Sequence, residues 1–332
     1  MRSFYYRDNV FSFEGCVSVQ TEDKWCRPWR IEFSHIDLFP FVSERAGEAS
    51  GIRLSFETDS KNIMLLMKEG YEGMKLDLFI NGRMYEQYAC DGNKKILFRG
   101  LHSCMKKVEI WLDPNFPFKL HEIGIDDNSS IKTLVFNQKR WVHYGSSISH
   151  SKQAASPSAI WTGLVAQKTN LHLTNLGFGG NCILEPMVGK MIRDLPADMV
   201  TMKLGVNCHS GALSYRSFEP NAIGLISIIR EKNPQIPIVI ISPIYAPEKE
   251  NNRASDISLT LVEMREILKK VVDKFREYGD NNIRYADGLK LLGPEQEKYL
   301  PDKIHPDADG QYIMADNFIK NIIPHNFIQD AL

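Results

Sequence analysis

Trp141-Val142-His143-Tyr144-Gly145-Ser146-Ser147-Ile148 runs from a mostly apolar segment directly into a glycine and two hydroxyls. A short run of this kind reads as a buried strand that hands its last residues to a turn. The same texture recurs downstream. Residues 172–176, 198–204 and 283–287 form further strand-like runs, and 236–242 is apolar almost throughout, as a strand covered on both faces should be. Helical patterns lie between them. One covers 161–168; a second, 220–232, carries Pro220 near its first turn, where a missing N–H costs little. In a third, Leu261, Met264, Leu268, Val271, Val272 and Phe275 recur at helical spacing, and Gly279 stands where a C-terminal cap belongs. Residues 309–323 supply a closing helix. Strand and helix in alternation predict a parallel sheet with helices on both faces.

Upstream the pattern is different. Short β-type runs at 52–58, 63–67, 75–80, 83–89, 94–98 and 108–112 are separated by turn residues, with no long amphipathic helix among them. Asn81-Gly82 joins two of these runs and signals a type I′ hairpin, whose two central residues both need positive φ. The stretch from about 31 to 125 therefore reads as an antiparallel β-sandwich, jelly-roll-like in pattern. Asp126-Asp127-Asn128-Ser129-Ser130 is polar and turn-forming, and it places the expected boundary between a first domain, 1–130, and a second, 131–332.

Composition narrows the partners. The chain has 332 residues, long enough for two cores. With 40 Lys+Arg against 41 Asp+Glu, the formal net charge of −1 offers no overall field for a nucleic-acid backbone or an anionic membrane. The N-terminal residues become charged and aromatic at once, unlike a secretory signal, and no later stretch reaches the ~18 apolar residues of a membrane span. Cys16, Cys26, Cys90, Cys104, Cys182 and Cys208 include no C-x-x-C pair, so reduced thiols and a cytoplasmic location are expected. Oligomeric state is not legible.

In a doubly wound sheet, ligands bind beyond the carboxyl ends of the strands. Ser147 follows the first expected strand, Gly179-Gly180-Asn181 the second and Asn207 the third, while Asp302-Lys303-Ile304-His305-Pro306 follows the fifth. A carboxylate three residues before an imidazole can hold one tautomer of it, and the imidazole can take the proton of a serine that attacks an ester carbonyl. Donors must then meet the oxyanion. Backbone N–H groups of the glycine-rich Asn175–Asn181 stretch and the Asn207 amide are candidates. Each piece alone is weak: a D-x-x-H pair is commonly a turn with a surface histidine, and a Gly-Ser-Ser is commonly an ordinary turn. Their common placement at one sheet edge carries the reading.

Taken in order, Gly145-Ser146-Ser147-Ile148, Gly179-Gly180-Asn181, Gly205-Val206-Asn207 and Asp302-Lys303-Ile304-His305-Pro306 resemble the four sequence blocks of the SGNH (GDSL-type) hydrolases, over roughly residues 140–323. The resemblance implies a flavodoxin-like three-layer α/β/α domain, with Ser147 as nucleophile, His305 as general base and then acid, and Asp302 as its orienting carboxylate. It also implies an oxyanion hole made by the Ser147 and Gly180 backbone N–H groups and the Asn207 side chain. The sandwich ahead of that domain is similar to the accessory domain of two-domain members, which act on carbohydrate esters or transfer acyl groups. Two positions depart from the family pattern. Ser146 stands where the family usually has Asp, and Gly179 where it has Ser. A local hydrogen bond from Ser146 and a backbone donor at Gly180 should preserve the chemistry with altered loop geometry.

Other residues near these blocks have plainer readings. His143 is expected in the core and hydrogen-bonded, with His150 and His209 lining the pocket; no acidic partner lies at metal-ligand spacing, so neither metal nor cofactor is expected. Cys182 and Cys208 read as small apolar fillers. The polar segment 243–257 could be a lid or a solvated connection. Trp25, Trp29 and Trp111 could stack on sugars, but buried sandwich tryptophans are commoner. The expected function is a serine esterase that removes a short acyl group, acetyl first, from a hydroxylated or carbohydrate-like small molecule. The alternative is a biosynthetic acyltransferase using the same site. A non-catalytic binding module is a third reading, opposed by the retention of Ser147, Asp302 and His305.

Overall fold

A computed structural model describes residues 1–323. Residues 324–332, the end of the expected second domain, lie outside the described residues. The chain divides into two compact units. One comprises Met1–Ile36, Ala46–Asn137 and Ser156–Ser158; the other comprises Asp37–Arg45, Gln138–Ala155 and the chain from Ala159 onward.

The first unit is built from two antiparallel sheets. One runs in the order Ser18–Glu22, Trp25–Trp29, Leu120–Ile125, Ile63–Met67, Lys95–Phe98, with Arg2–Phe4 also pairing to Leu120–Ile125. The other runs Ile131–Lys132, Arg53–Thr58, Lys106–Leu112, Glu72–Ile80, Arg83–Asp91, with Ser12–Glu14 against Arg53–Thr58. Alternate residues of both, among them Leu54, Phe56, Leu78 and Ile110 from one sheet and Leu65, Phe98 and Ile123 from the other, join a single apolar core. Face-to-face burial of alternating positions is what holds a sandwich together. At the hairpin tip Asn81 and Gly82 have φ of 51° and 77°, as the type I′ turn requires. The strands before residue 31 were not apparent in the sequence pattern. They are three to five residues long and one contains Pro28, so their alternation is too brief to register.

The second unit holds a five-stranded parallel sheet: β1 (Arg140–Gly145), β2 (His172–Gly177), β3 (Met199–Lys203), β4 (Ile238–Ile241) and β5 (Ile283–Ala286). Their order is β2-β1-β3-β4-β5, the doubly wound flavodoxin-like arrangement. The helices are α1 (Trp161–Thr169), α2 (Pro186–Asp194), α3 (Phe218–Arg230), α4 (Leu261–Glu277) and α5 (Ala308–Asn321). Trp161 of α1 and Phe318 of α5 pack on Trp141, with ring centroids 5.3 Å apart from each other and 5.1 Å between Phe318 and Trp141. Helix α2 packs on α3, and α3 on α4. Three layers result.

Boundaries differ from the sequence reading where local chemistry intervenes. Strand β4 begins only at Ile238, because Pro237 has no N–H for the ladder; its carbonyl still accepts from Val200 at 3.0 Å. Helix α3 starts two residues earlier than the pattern suggested, which leaves Pro220 within the first turn, where N–H groups have no intrahelical partner. Helix α2 was not foreseen at all. It is nine residues long, and Gly189 interrupts its apolar face where a Cβ would come within 2.9 Å of Leu225.

Within the first unit, the fully buried Asp77 carboxyl accepts three hydrogen bonds on one oxygen: from Ser156 Oγ at 2.6 Å, Ser158 N–H at 2.8 Å and Ser158 Oγ at 2.6 Å. Removing the acceptor leaves buried donors without it. Asp77→Ala should lower unfolding free energy by about 3 kcal/mol in chemical denaturation. A change within error of wild type would show that these donors find other partners.

Candidate active site

Strand β1 delivers Ser147 to the sheet edge through a turn with little freedom. Gly145 must lack a side chain, since a Cβ would fall 2.3 Å from Ser149 Oγ. Ser146 is extended and buried, and its hydroxyl accepts the Ile148 N–H at 3.3 Å, capping the helical turn Ser147–His150. The neutral hydroxyl at this position therefore makes the local bond expected of it. The rear of the turn is tied to the sheet: His143 Nε2 lies 2.8 Å from Ser149 Oγ, His143 Nδ1 lies 2.7 Å from Thr201 Oγ1, and Asn175 Nδ2 donates to the Ser149 carbonyl at 2.9 Å. Burial, aided by the Lys203 charge, pushes the His143 imidazole well below its usual range. It is a neutral structural residue in the core.

Strand β2 ends beside β1, and Phe178 N–H donates to the Gly145 carbonyl at 2.8 Å. Gly177 sits so close to the serine turn that a Cβ would meet His150 N at 2.4 Å. The chain then turns, with Asn181 N–H on the Phe178 carbonyl at 3.0 Å and Gly180 at φ 76°, a conformation that suits glycine. A Cβ on Gly179 would be 3.6 Å from that of Ser147, so this turn lies directly alongside the serine. After β3, Gly205 takes φ 115° and opens the short helical segment Val206–Ser210. Within that segment Asn207 Oδ1 accepts the Cys182 N–H at 3.0 Å, which fixes the amide and leaves its Nδ2 donors for the pocket that Asn207 lines.

The loop after β5 brings the last pair. Ser147 Oγ lies 2.7 Å from His305 Nε2, and His305 Nδ1 lies 2.6 Å from Asp302 Oδ2. Asp302 Oδ1 also accepts the backbone N–H groups of Ile304 at 3.0 Å and His305 at 2.7 Å. Partial burial works to raise the Asp302 carboxyl, but the His305 backbone bond, the imidazole bond and the Ile304 bond outweigh it, and the net shift is downward. The carboxyl is thus held ionised beside the imidazole. To bend back on itself the loop places Lys303 at φ 65°.

These groups open on a cavity of about 520 Å³ lined by Ser147, Gly179, Gly180, Asn207 and His305, together with Arg45, His150, Lys152, Gln153, Val206, Ser210, Lys249 and Ile304. The structure therefore brings together Ser147, His305 and Asp302 and sets Gly180 and Asn207 on the same cavity. His150 lines it as expected. His209 does not: its Nε2 bonds the Asn252 carbonyl at 2.9 Å. Arg45, which arrives from 37–45, had no sequence signal. Lys249 belongs to the 243–257 segment already singled out. Cys182 and Cys208 are buried, and burial pushes the Cys182 thiol up to about 12 and raises that of Cys208, so neither thiol ionises readily. Trp29 and Trp111 are buried, whereas Trp25 is half-buried with Lys68 Nζ 4.3 Å over its ring.

Residues 138–323 match the model of the GDSL-like lipase/acylhydrolase family. The chain belongs to this family. Membership of a lipase and acylhydrolase family makes the chain an enzyme of the ester-hydrolysing class. Residues 11–121 match a second model, that of the N-terminal domain of SsfX3. The salicylyl-acyltransferase SsfX3 from a tetracycline biosynthetic pathway is 33% identical over 97% of this chain and 96% of its own, with a TM-score of 0.89. A family two carbohydrate esterase from Clostridium thermocellum, in complex with cellohexaose, shares the fold at 10% identity over 93% and 97% of the two chains, TM-score 0.64. So does an acetyl xylan esterase from the rumen bacterium Butyrivibrio proteoclasticus, at 12% identity over 82% and 89%, TM-score 0.58. No curated protein matches the sequence.

Behind the Gly180 turn, Glu185 precedes α2 with one carboxyl oxygen buried and without a hydrogen-bond partner. Burial raises its pKa from 4.5 to about 7. A carboxyl held protonated by the fold contributes stability that is complete below about pH 4.5 and is lost as pH rises through about 7. Glu185→Gln removes that loss. Its melting temperature relative to wild type should rise between about pH 5 and about pH 8; a difference independent of pH would show that Glu185 ionises normally.

Proposed function

We propose that this protein is a serine esterase working through an acyl-enzyme on Ser147. Ser147 Oγ attacks the ester carbonyl while its proton passes to His305 Nε2, and Asp302 steadies the resulting imidazolium. Negative charge gathers on the carbonyl oxygen, where the Ser147 and Gly180 N–H groups and the Asn207 amide donate to it. The tetrahedral intermediate then collapses. The ester C–O bond breaks, and His305 returns the proton to the departing alcohol. Water enters, gives a proton to His305 and attacks the acyl carbon; the bond from that carbon to Ser147 Oγ then breaks, His305 returns the proton to Oγ, and the acid leaves.

The observation that carries this reading is the unbroken line of short hydrogen bonds, 2.7 Å from Ser147 to His305 and 2.6 Å on to Asp302, at the mouth of a cavity. Proper placement of a general base is worth roughly 10²–10⁴ in rate. We take the acyl group to be short, acetyl first, on a hydroxylated or carbohydrate-like carrier. The acetyl xylan esterase and the carbohydrate esterase of like fold support the proposal in that respect alone.

A second reading has an observation of its own. The relative that is 33% identical over nearly the whole chain is an acyltransferase, and both reactions share the first half. The acyl-enzyme would then pass its acyl group to an alcohol in place of water.

The folded protein should label with a fluorophosphonate probe, and Ser147→Ala should not; labelling that persists in the variant would remove Ser147 from the mechanism. With a labelled acyl donor and a panel of sugars and other alcohols, the esterase should yield free acid alone. Acyl product on an alcohol, growing with alcohol concentration, would instead establish transfer.

A further inference from the structure

Among the described residues, which include all five tryptophans, Trp25 alone is not buried; the other four are at most 6% exposed. Trp25 opens the strand Trp25–Trp29 directly after the two-residue turn Asp23-Lys24. Leu66 and Met67 end the strand Ile63–Met67 of the same sheet, and His121 lies on Leu120–Ile125 between them. These residues line a cavity of about 650 Å³ within the first unit, a volume usual for a small-molecule site. The middle strand carries a bulge there: Leu120 pairs with Met67 and Glu122 with Leu66, so His121 has no residue opposite it. An extra residue of this kind re-aims its side chain. His121 Nδ1 donates to the Lys24 carbonyl, which leaves Nε2 for a ligand, and the ring packs edge-on against Tyr5 with centroids 5.7 Å apart. A second cavity of about 160 Å³ shares Asp23, Lys24, Trp25 and His121 with the first and continues past Tyr5 and Tyr6. The two make one groove with aromatic rings along it.

Ester cleavage at Ser147 makes no use of this groove. Its rim offers both donors and acceptors. The Asp23, Lys24 and Lys94 side chains have no hydrogen bond or ion pair among the described residues, and Glu22 accepts from Gln20 at 2.9 Å. Lys68 Nζ rests 4.3 Å over the Trp25 ring, and Lys68 is exposed. A cation on an exposed ring is worth only about 0.5–1 kcal/mol, so an incoming ligand displaces it cheaply. An anion would be repelled by the two carboxylates and a cation by the lysines, whereas a hydroxyl both accepts and donates. A pyranose matches this lining, with a C–H face for the indole and a rim of hydroxyls for the charged groups. We infer that the groove binds a neutral saccharide chain, seated on Trp25 and hydrogen-bonded by His121, Asp23 and Lys94, at a site that takes no part in ester cleavage.

Titration calorimetry on the full chain tests this with cellohexaose, xylohexaose and maltohexaose, glucose serving as the single-ring control. At least one hexasaccharide should bind with Kd below about 1 mM and ~10-fold or more tightly than glucose. Trp25→Ala should weaken that binding ~10-fold or more, Trp25→Phe should restore most of it, and Lys68→Ala should leave it intact. Asp23→Ala and Lys94→Ala, at exposed positions, should each weaken it ~3-fold, read on protein shown folded by its melting curve. Hydrolysis of 4-nitrophenyl acetate should be the same in all of these variants. Ser147→Ala should leave saccharide binding as it is, so this outcome is separate from that of the nucleophile assignment. Raising salt from about 20 to about 300 mM should not change Kd, as for an uncharged ligand. No binding by any of the three hexasaccharides, affinity untouched by Trp25→Ala, or binding lost at the higher salt would overturn the inference.

Discussion

The pocket depends on the register of one set of parallel pairings. Gly145 at the end of β1 faces Gly177 at the end of β2, and Tyr144 faces Met202 of β3. Three connections therefore leave the sheet at one level and in one direction, and the serine turn, the Gly179-Gly180 turn and the Asn207 segment meet there. A slip of one residue would carry Trp141 and His143 to the opposite face of the sheet. The apolar contacts of Trp141 with Trp161 and Phe318 make such a slip costly, so a packing constraint deep in the core sets the geometry at the edge.

That register is reinforced by polar groups with no access to water. Trp141 Nε1 donates to Thr201 Oγ1 at 2.8 Å, Thr201 meets His143, and His143 meets Ser149 directly behind Ser147. Each is buried, and each would lose a partner if the turn shifted; an unpaired buried donor costs about 1–3 kcal/mol. The two glycines at the strand ends act in the same sense. The Ser149 side chain packs against Gly145, and the Ser149–His150 backbone packs against Gly177, so the turn has no room to shift toward β2.

Much of this was legible in the sequence because the signals are local. Strand ends followed by glycine and hydroxyl residues, the D-x-x-H turn and the Asn81-Gly82 hairpin each encode their conformation within a few residues. What escaped the reading is non-local or brief. Helix α2 does carry an apolar stripe, Val188, Met191 and Ile192, but it spans only nine residues with a glycine at the contact with α3, too short a run to stand out. The edge strands before residue 31 are defined by their partners more than by their own alternation. Arg45 reaches the cavity from a segment about a hundred positions ahead of Ser147, and no pattern in 37–45 announces that destination. Nothing in the sequence marks Glu185; its raised titration follows from burial that only tertiary folding supplies.

The turn at 302–305 has a different standing from the other three segments. Its carboxyl binds both the backbone and the ring of a residue three positions on, so the imidazole is oriented by bonds internal to four consecutive residues. The base and its partner form a self-contained module, preassembled by short-range order and presented to the serine as one piece. Any displacement of that loop would withdraw both together, leaving the alcohol intact but inert. The fold thus separates the permanence of the nucleophile, rooted in the sheet, from the portability of the group that activates it.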